Sequence, residues 1–210
     1  MSRAFGLRAT VLAVLLIAAS PQLAFGWSQL RNHYPYDPKT CDNSAQYPCI
    51  KWPQSGTGYS ITIYVYEDYT LTQANINLQT DMGTACQQWT AIAARNPFSY
   101  CSGNGVNYQV GAYRAATVHS DSWAETVTYS SGHTVTSATI KFNPLVTWNR
   151  NLTYSTYQAD ARKVAVHEMG HAEALGHTKW WSQVMHQGGL NFWQPQAGDI
   201  QGMQAIYGAP

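Results

Sequence analysis

Residues 167–177 read HEMGHAEALGH, and this stretch decides which fold the chain adopts. Three histidines stand at offsets 0, 4 and 10, and Glu168 follows the first of them. Residues four apart on a helix lie on one face, so the spacing predicts that His167 and His171 aim their imidazoles at one point. Glu168 lies about 100° around the helix from His167, where its carboxylate reaches the same neighbourhood without being a ligand. Two imidazoles with an adjacent carboxylate are what a zinc hydrolase needs.

The third histidine of the stretch depends on a turn. His177 lies six residues beyond His171, so it approaches the same point only if the helix ends and the chain turns back. Gly176 offers a place for that turn. A lone HExxH pattern also occurs by chance in ordinary helices, where it marks only a polar helix end. A third histidine at this offset favours a metal site over that interpretation.

Three segments together resemble one known family. HEMGHAEALGH resembles the HExxHxxGxxH zinc motif of the metzincin metallopeptidases. SQVMHQ at 182–187 resembles their Met-turn, which places a methionine beneath the metal. PQAGDIQGMQAIYG at 195–208 is similar to the closing helix of the matrixin branch, where a D-I-x-G-I-Q-x-I-Y-G pattern is usual. The resemblance extends over about residues 59–208, and it is specific in the C-terminal third and loose before it.

The expected fold class is α+β. Alternating and helical spacings predict strands at 59–68 and 106–113, two strands within 123–144, and helices over 71–94, 160–174 and 198–208. This order favours one twisted sheet with helices. The resemblance further implies a metzincin-like catalytic domain, with a twisted, mostly parallel sheet of about five strands, two long helices and a short C-terminal helix.

The resemblance also implies a role for each site residue. His167, His171 and His177 would hold one catalytic zinc ion and leave a position for water. Glu168 would be the general base that takes a proton from this water. Met185 would give structural support beneath the histidines. A plain core position is the alternative interpretation of Met185.

Two departures from the family pattern bear on this site. The glycine of HxxGxxH is replaced by Ala174. If this position needs a positive φ, alanine costs on the order of 1–2 kcal/mol there; otherwise the turn is displaced towards Gly176. The chain also has no PRCGxxD-like cysteine switch, so we expect no pro-segment of that kind. We also expect no hemopexin-like domain.

Support for further metal ions is weak. His119, Asp121 and His133 faintly resemble the second, structural zinc site of matrixins, but their spacing does not match well. The sequence therefore gives no support for a structural calcium or a second zinc ion.

The N-terminus has the pattern of a secretory signal. Two arginines stand among the first eight residues, 9–19 are almost wholly apolar, and Ala24 and Gly26 fit a cleavage site. The apolar run is short for a membrane span of about 20 residues. We therefore expect a signal peptide over 1–26 and a secreted zinc metallopeptidase catalytic domain over 27–210, rather than an uncleaved anchor.

Charge and cysteines fit an exported domain. Of twelve basic residues two belong to the predicted signal, which leaves ten against eleven acidic ones. This balance gives no argument for nucleic acid or for an anionic membrane surface. The expected partner is an extended peptide or protein substrate, and we expect a monomer without stable membrane insertion. Four cysteines favour two disulfides, with Cys41–Cys49 and Cys86–Cys101 preferred among three connectivities.

The favoured function is that of a secreted zinc-dependent endopeptidase. One alternative is a secreted binding module that keeps a zinc ion without hydrolysis. Glu168 argues against it, since a structural zinc ion needs no carboxylate that is not a ligand. A second alternative is a zinc amidase that acts on non-protein amides, and the spacing does not separate it from a peptidase.

Overall fold

The computed structural model describes residues 28–29, 50–53, 59–66, 77–96, 98–103, 110–114, 122–143, 146–151, 158–187 and 192–210. The predicted signal peptide at 1–26, together with Cys41 and Cys49, lies outside these residues. Within the described ranges, no helix is long and apolar enough to cross a membrane.

The described residues form a mixed α and β domain with three helices, which confirms the predicted combination of helices and strands. The helices are α1 (Leu78–Thr90), α2 (Ala161–Ala172) and α3 (Ala197–Tyr207). The strands are β1 (Ser28–Gln29), β2 (Tyr59–Tyr66), β3 (Phe98–Gly103), β4 (Val110–Arg114), β5 (Ala124–Ser131), β6 (Thr134–Phe142), β7 (Thr147–Asn149), β8 (Gln158–Asp160) and β9 (Leu175–Gly176).

The main sheet has five strands in the order β3-β2-β4-β6-β5. The first four strands pair in parallel, and β5 adds to β6 as an antiparallel edge strand. Gly132 lies in the turn between β5 and β6 with a φ of 57°, a conformation that glycine adopts readily. The two strands predicted within 123–144 are therefore present.

Helix α1 ends earlier than predicted. It begins at Leu78, where the Asn77 side chain accepts a hydrogen bond from the backbone N–H of Thr80. It ends at Thr90 rather than at residue 94, and the Asn96 side chain donates to the carbonyl of Trp89 near this end. The predicted start at residue 71 lies outside the described residues.

The first helix also carries one of the cysteines. Cys86 is fully buried in α1 and is disulfide-bonded. Its pairing with Cys101 stays a prediction.

Helix α2 runs through the interior of the domain. It begins after Asp160, whose carboxylate accepts hydrogen bonds from the backbone N–H groups of Arg162 and Lys163. All its residues except Arg162 are buried, because α1 and the strands β5 and β6 pack around it. The prediction of a helix over 160–174 agrees with these bounds within two residues.

Two tryptophans fix α2 to the rest of the core. The indole N–H of Trp89, which is fully buried in α1, donates to the carbonyl of Val166 at 2.8 Å. The indole N–H of Trp52 donates to the carbonyl of Ala172 at 2.7 Å. A buried indole N–H needs such a partner, so each tryptophan fixes the position of α2 relative to the rest of the core.

Candidate metal centre

The histidine cluster depends on how α2 ends. The backbone N–H of Glu173 donates to the carbonyl of Met169, and that of Ala174 donates to the carbonyl of His171. Ala174 has a φ of 74°, in the left-handed region. The chain therefore reverses at Ala174 itself, and the turn is not displaced to Gly176.

Side chains from distant segments satisfy the carbonyls at this helix end. Trp52 donates to Ala172, and the Tyr207 hydroxyl of α3 donates to the carbonyl of Glu173 at 2.9 Å. The last carbonyls of a helix lack partners within the helix. These two bonds hold the end of α2 in place just before the turn.

The turn brings three imidazoles together. The Nε2 atom of His177 lies 3.1 Å from Nε2 of His167 and 3.1 Å from Nε2 of His171. The ligand atoms of the three residues all lie within 4.8 Å of one another. His167 and His171 are buried, and His177 is partly exposed. The sequence prediction that these three histidines converge is therefore confirmed.

Backbone carbonyls set the tautomers of two of these rings. Nδ1 of His167 lies 2.7 Å from the carbonyl of Val184, and Nδ1 of His171 lies 2.7 Å from the carbonyl of Leu175. A carbonyl only accepts, so each Nδ1 carries the proton and each Nε2 presents a lone pair to the cluster. Partners of this kind usually orient histidine ligands of metal ions.

The three rings are neutral near pH 7. Burial lowers the pKa of His167 to about 3 and, together with the neighbouring histidines, lowers the pKa of His171 well below its usual value. Burial also lowers the pKa of His177. Neutral imidazole is the form that binds a metal.

The arrangement fits a zinc ion. Tetrahedral bonds of about 2.0–2.1 Å place ligand nitrogens roughly 3.3 Å apart, close to the 3.1 Å found here. The Nε2 atoms of His167 and His171 each present a lone pair to Nε2 of His177. That nitrogen carries at most one proton and can donate it to only one of them, so the cluster has more acceptors than donors. A cation that accepts all three lone pairs resolves this excess.

Glu168 is buried beside the cluster. The hydroxyl of Thr126, on β5, donates to its Oε2 at 2.6 Å. Burial raises the pKa of Glu168 to about 7, although the bond from Thr126 opposes this shift. A carboxyl group with a pKa near neutrality is suited to take up and return a proton.

Met185 lies beneath the helix that carries the histidines. It is fully buried, and a methyl group added at Gly170 would lie 2.4 Å from its Sδ. The close approach of Met185 to α2 thus needs a glycine at position 170. The loop that carries Met185 is held by the carboxylate of Asp199, which accepts from the backbone N–H groups of Val184 at 2.9 Å and Met185 at 3.2 Å.

Asp199 has two structural roles. It accepts from the backbone N–H of Gln196 in a capping box at the start of α3, and it also holds the loop around Met185. Burial raises its pKa to about 6, while the three backbone N–H donors oppose the shift.

Two contacts near the site were not expected from the sequence. Thr126 approaches Glu168 from a strand 42 residues earlier. Asn96 donates to the buried carboxyl of Glu173 at 3.2 Å, and burial raises the pKa of this carboxyl well above its usual value. The alternation of side chains along β5 could have predicted the face of the strand on which Thr126 lies. No local pattern in the sequence predicts that this face packs against α2.

The structure describes only one residue of the weak second-metal candidate. His133 is exposed in the turn between β5 and β6, and His119 and Asp121 lie outside the described residues. Among the residues that the structure describes, the three histidines of the cluster are the group that could hold a metal ion.

A family model described as matrixin matches residues 51–208, which is well over half of the chain. No curated protein sequence gives a significant match. The matched range contains the converging histidines, Glu168, Met185 and the closing helix α3. The resemblance found in the sequence is thereby confirmed, and the chain belongs to the matrixin family.

Proposed function

We propose that this protein is a secreted zinc-dependent endopeptidase. The observation that carries the proposal is the convergence of three neutral imidazoles within 4.8 Å, with a buried carboxyl group on the residue next to the first. Membership of the matrixin family supports the same chemistry. His167, His171 and His177 would hold the zinc ion.

The chemistry divides between the ion and the chain. A bound zinc ion would supply a water of lowered pKa and would polarise the carbonyl of the scissile bond. Glu168 would take a proton from that water and return it to the nitrogen of the leaving amine. The carbonyls of Val184 and Leu175 keep the Nδ1 protons in place, so the inward nitrogens stay free to bind.

The position of Glu168 favours hydrolysis over a purely structural ion. Its carboxyl group is buried and has a pKa raised to about 7, yet it is not among the three converging ligand atoms. Burial of an ionisable group costs stability unless it is fully paired, and the bond from Thr126 engages only one of the two carboxylate oxygens. A role in proton transfer gives a reason for it, whereas a structural zinc ion in a binding module does not.

The substrate would bind along β5. This strand forms the antiparallel edge of the main sheet, and Thr126 on it contacts Glu168. An extended peptide that pairs with an edge strand places its backbone along that strand. Pairing along β5 would carry a scissile bond past the general base.

Secretion is supported by two features. The segment 1–26 has the pattern of a cleaved signal peptide. Cys86 is disulfide-bonded, and disulfides persist mainly in oxidising compartments.

The test compares the parent chain with Glu168→Gln on a mixed peptide library. We expect the parent to cleave peptides, and the variant to keep its zinc content while losing about 10²–10⁴-fold in rate. A parent that binds zinc but cleaves neither peptides nor small amides would support the binding module. A parent that cleaves only non-protein amides would support the amidase.

A further inference from the structure

We propose that Thr126 is a positioning residue that holds the carboxylate of Glu168 in its working orientation. The inference rests on the proposed function of Glu168 as the general base. The hydroxyl of Thr126 bonds to Glu168, so it would act through Glu168.

The contact is short and directed. Oγ1 of Thr126 lies 2.6 Å from Oε2 of Glu168, within the range of about 2.5–2.7 Å that is typical of a hydroxyl bound to a carboxylate. The same hydroxyl lies 3.2 Å from the backbone carbonyl of Glu168. Its single proton is better placed for the carboxylate.

The hydroxyl is presented by a rigid part of the fold. Thr126 lies on β5 and pairs with Ile140 of β6 across the antiparallel ladder. Its side chain is β-branched, which restricts rotation about χ1. The donor therefore has few other orientations, and β5 fixes it relative to α2.

The bond distinguishes the two oxygens of the carboxylate. With Oε2 bound to Thr126, Oε1 is the oxygen left to take the proton of the attacking water. A free carboxylate would rotate about its last bond and present either oxygen. Catalysis gains when a reacting group is held in one productive geometry.

The neighbouring threonine provides a matched control. Thr128 lies two residues on, so its side chain is on the same face of β5 as that of Thr126. Its Oγ1 is buried and has no hydrogen-bond partner within the described part of the chain. Thr126→Val and Thr128→Val make the same chemical change on the same face of β5. Only Thr126→Val removes a hydrogen bond.

The experiment measures kcat and KM for Thr126→Val, Thr126→Ser and Thr128→Val on one peptide substrate. We expect Thr126→Val to lose about 10- to 100-fold in kcat, the range for one hydrogen bond to a charged group, with KM changed less than about twofold. Thr126→Ser keeps a hydroxyl and should recover most of this loss. Thr128→Val removes no hydrogen bond to Glu168, so its kcat should fall far less than that of Thr126→Val.

Three results would overturn the proposal: parent-like kcat in Thr126→Val, an equal loss in Thr128→Val, or no recovery in Thr126→Ser. Zinc content and thermal unfolding of each variant show whether a loss comes from folding instead. If Thr126→Val does not fold, Thr126→Ala takes its place with the same expectation. An inactive parent would contradict the proposed function, whereas an active parent with an equally active Thr126→Val contradicts only the role of Thr126.

Discussion

The Nε2 atoms of His171 and His177 lie 3.1 Å apart, although the two residues are six positions apart in the chain. An unbroken helix would turn His177 about 240° away from His171. The reversal at Ala174, with a φ of 74°, removes this separation. The third imidazole therefore joins the cluster because Ala174 adopts a left-handed conformation that is unfavourable for alanine.

Ala174→Gly should relieve this strain. The left-handed conformation costs a residue with a Cβ roughly 1–2 kcal/mol, which offsets the lost methyl contact and the greater freedom of glycine when unfolded. We expect a free energy of unfolding equal to that of the parent or slightly above it. Urea denaturation measures this quantity.

Ala172→Gly is the control for that change. Ala172 is equally buried but lies in the last turn of α2. Glycine there should lower the free energy of unfolding by about 1 kcal/mol from helix propensity, with a further loss from the buried methyl group. Equal destabilisation by the two substitutions would show that Ala174 is not strained.

Zinc binding should depend on His177 and not on a histidine outside the cluster. We expect one zinc ion per chain in the parent and well under one in His177→Ala, measured by metal analysis after purification without added zinc. His133→Ala, in an exposed turn, should keep the full content. Zinc at 100 times its dissociation constant should stabilise the parent by about 2.7 kcal/mol. A parent that neither contains zinc nor gains stability from it contradicts the assignment.

Gly170→Ala should destabilise the protein although it lies within a helix. The added Cβ would lie 2.4 Å from Sδ of Met185 and 2.7 Å from a ring carbon of Trp89. Such overpacking costs about 1–3 kcal/mol, which exceeds the gain of about 1 kcal/mol in helix propensity. Gly83→Ala in α1 has nothing within 4 Å of the added carbon, so it should stabilise by up to about 1 kcal/mol. Thermal unfolding of both variants tests the contrast, and a stabilised Gly170→Ala would disprove it.

Local patterns in the sequence predicted much of this structure. The bounds of α2 and α3, the pair of strands around Gly132 and the convergence of the histidines follow from residues that are close in the chain. The departure at Ala174 could also be read from the motif. Each of these features depends on contacts within about one or two turns of helix or one hairpin.

Contacts between distant segments could not be predicted in this way. Thr126 contacts Glu168 only because β5 lies at the edge of the sheet next to α2. No single segment of the sequence predicts this strand order. The second role of Asp199 depends likewise on how the loop at Val184 and Met185 packs against α3. The predicted end of α1 was wrong because no local residue marks Thr90 as the last position.

Asp199 should make stability depend on pH in a definite direction. Burial raises the pKa of its carboxyl group from 3.8 to about 6 in the folded protein. The folded state thus binds this proton more tightly than the unfolded state does. The stabilisation is complete below about pH 4 and is lost as the pH rises through about 6, with a size on the order of 3 kcal/mol.

Comparison with Asp199→Asn isolates this contribution, because the variant does not titrate at this position. The substitution should destabilise at every pH, since an amide NH₂ replaces one of the two oxygens that accept from Val184, Met185 and Gln196. The difference in free energy of unfolding between parent and variant should then shrink by about 2.4 kcal/mol from pH 4 to pH 7. Urea denaturation in a chelator measures it without interference from zinc. If the difference in free energy of unfolding stays constant or grows with pH, the folded state favours the ionised carboxylate. The three N–H donors alone would have this effect.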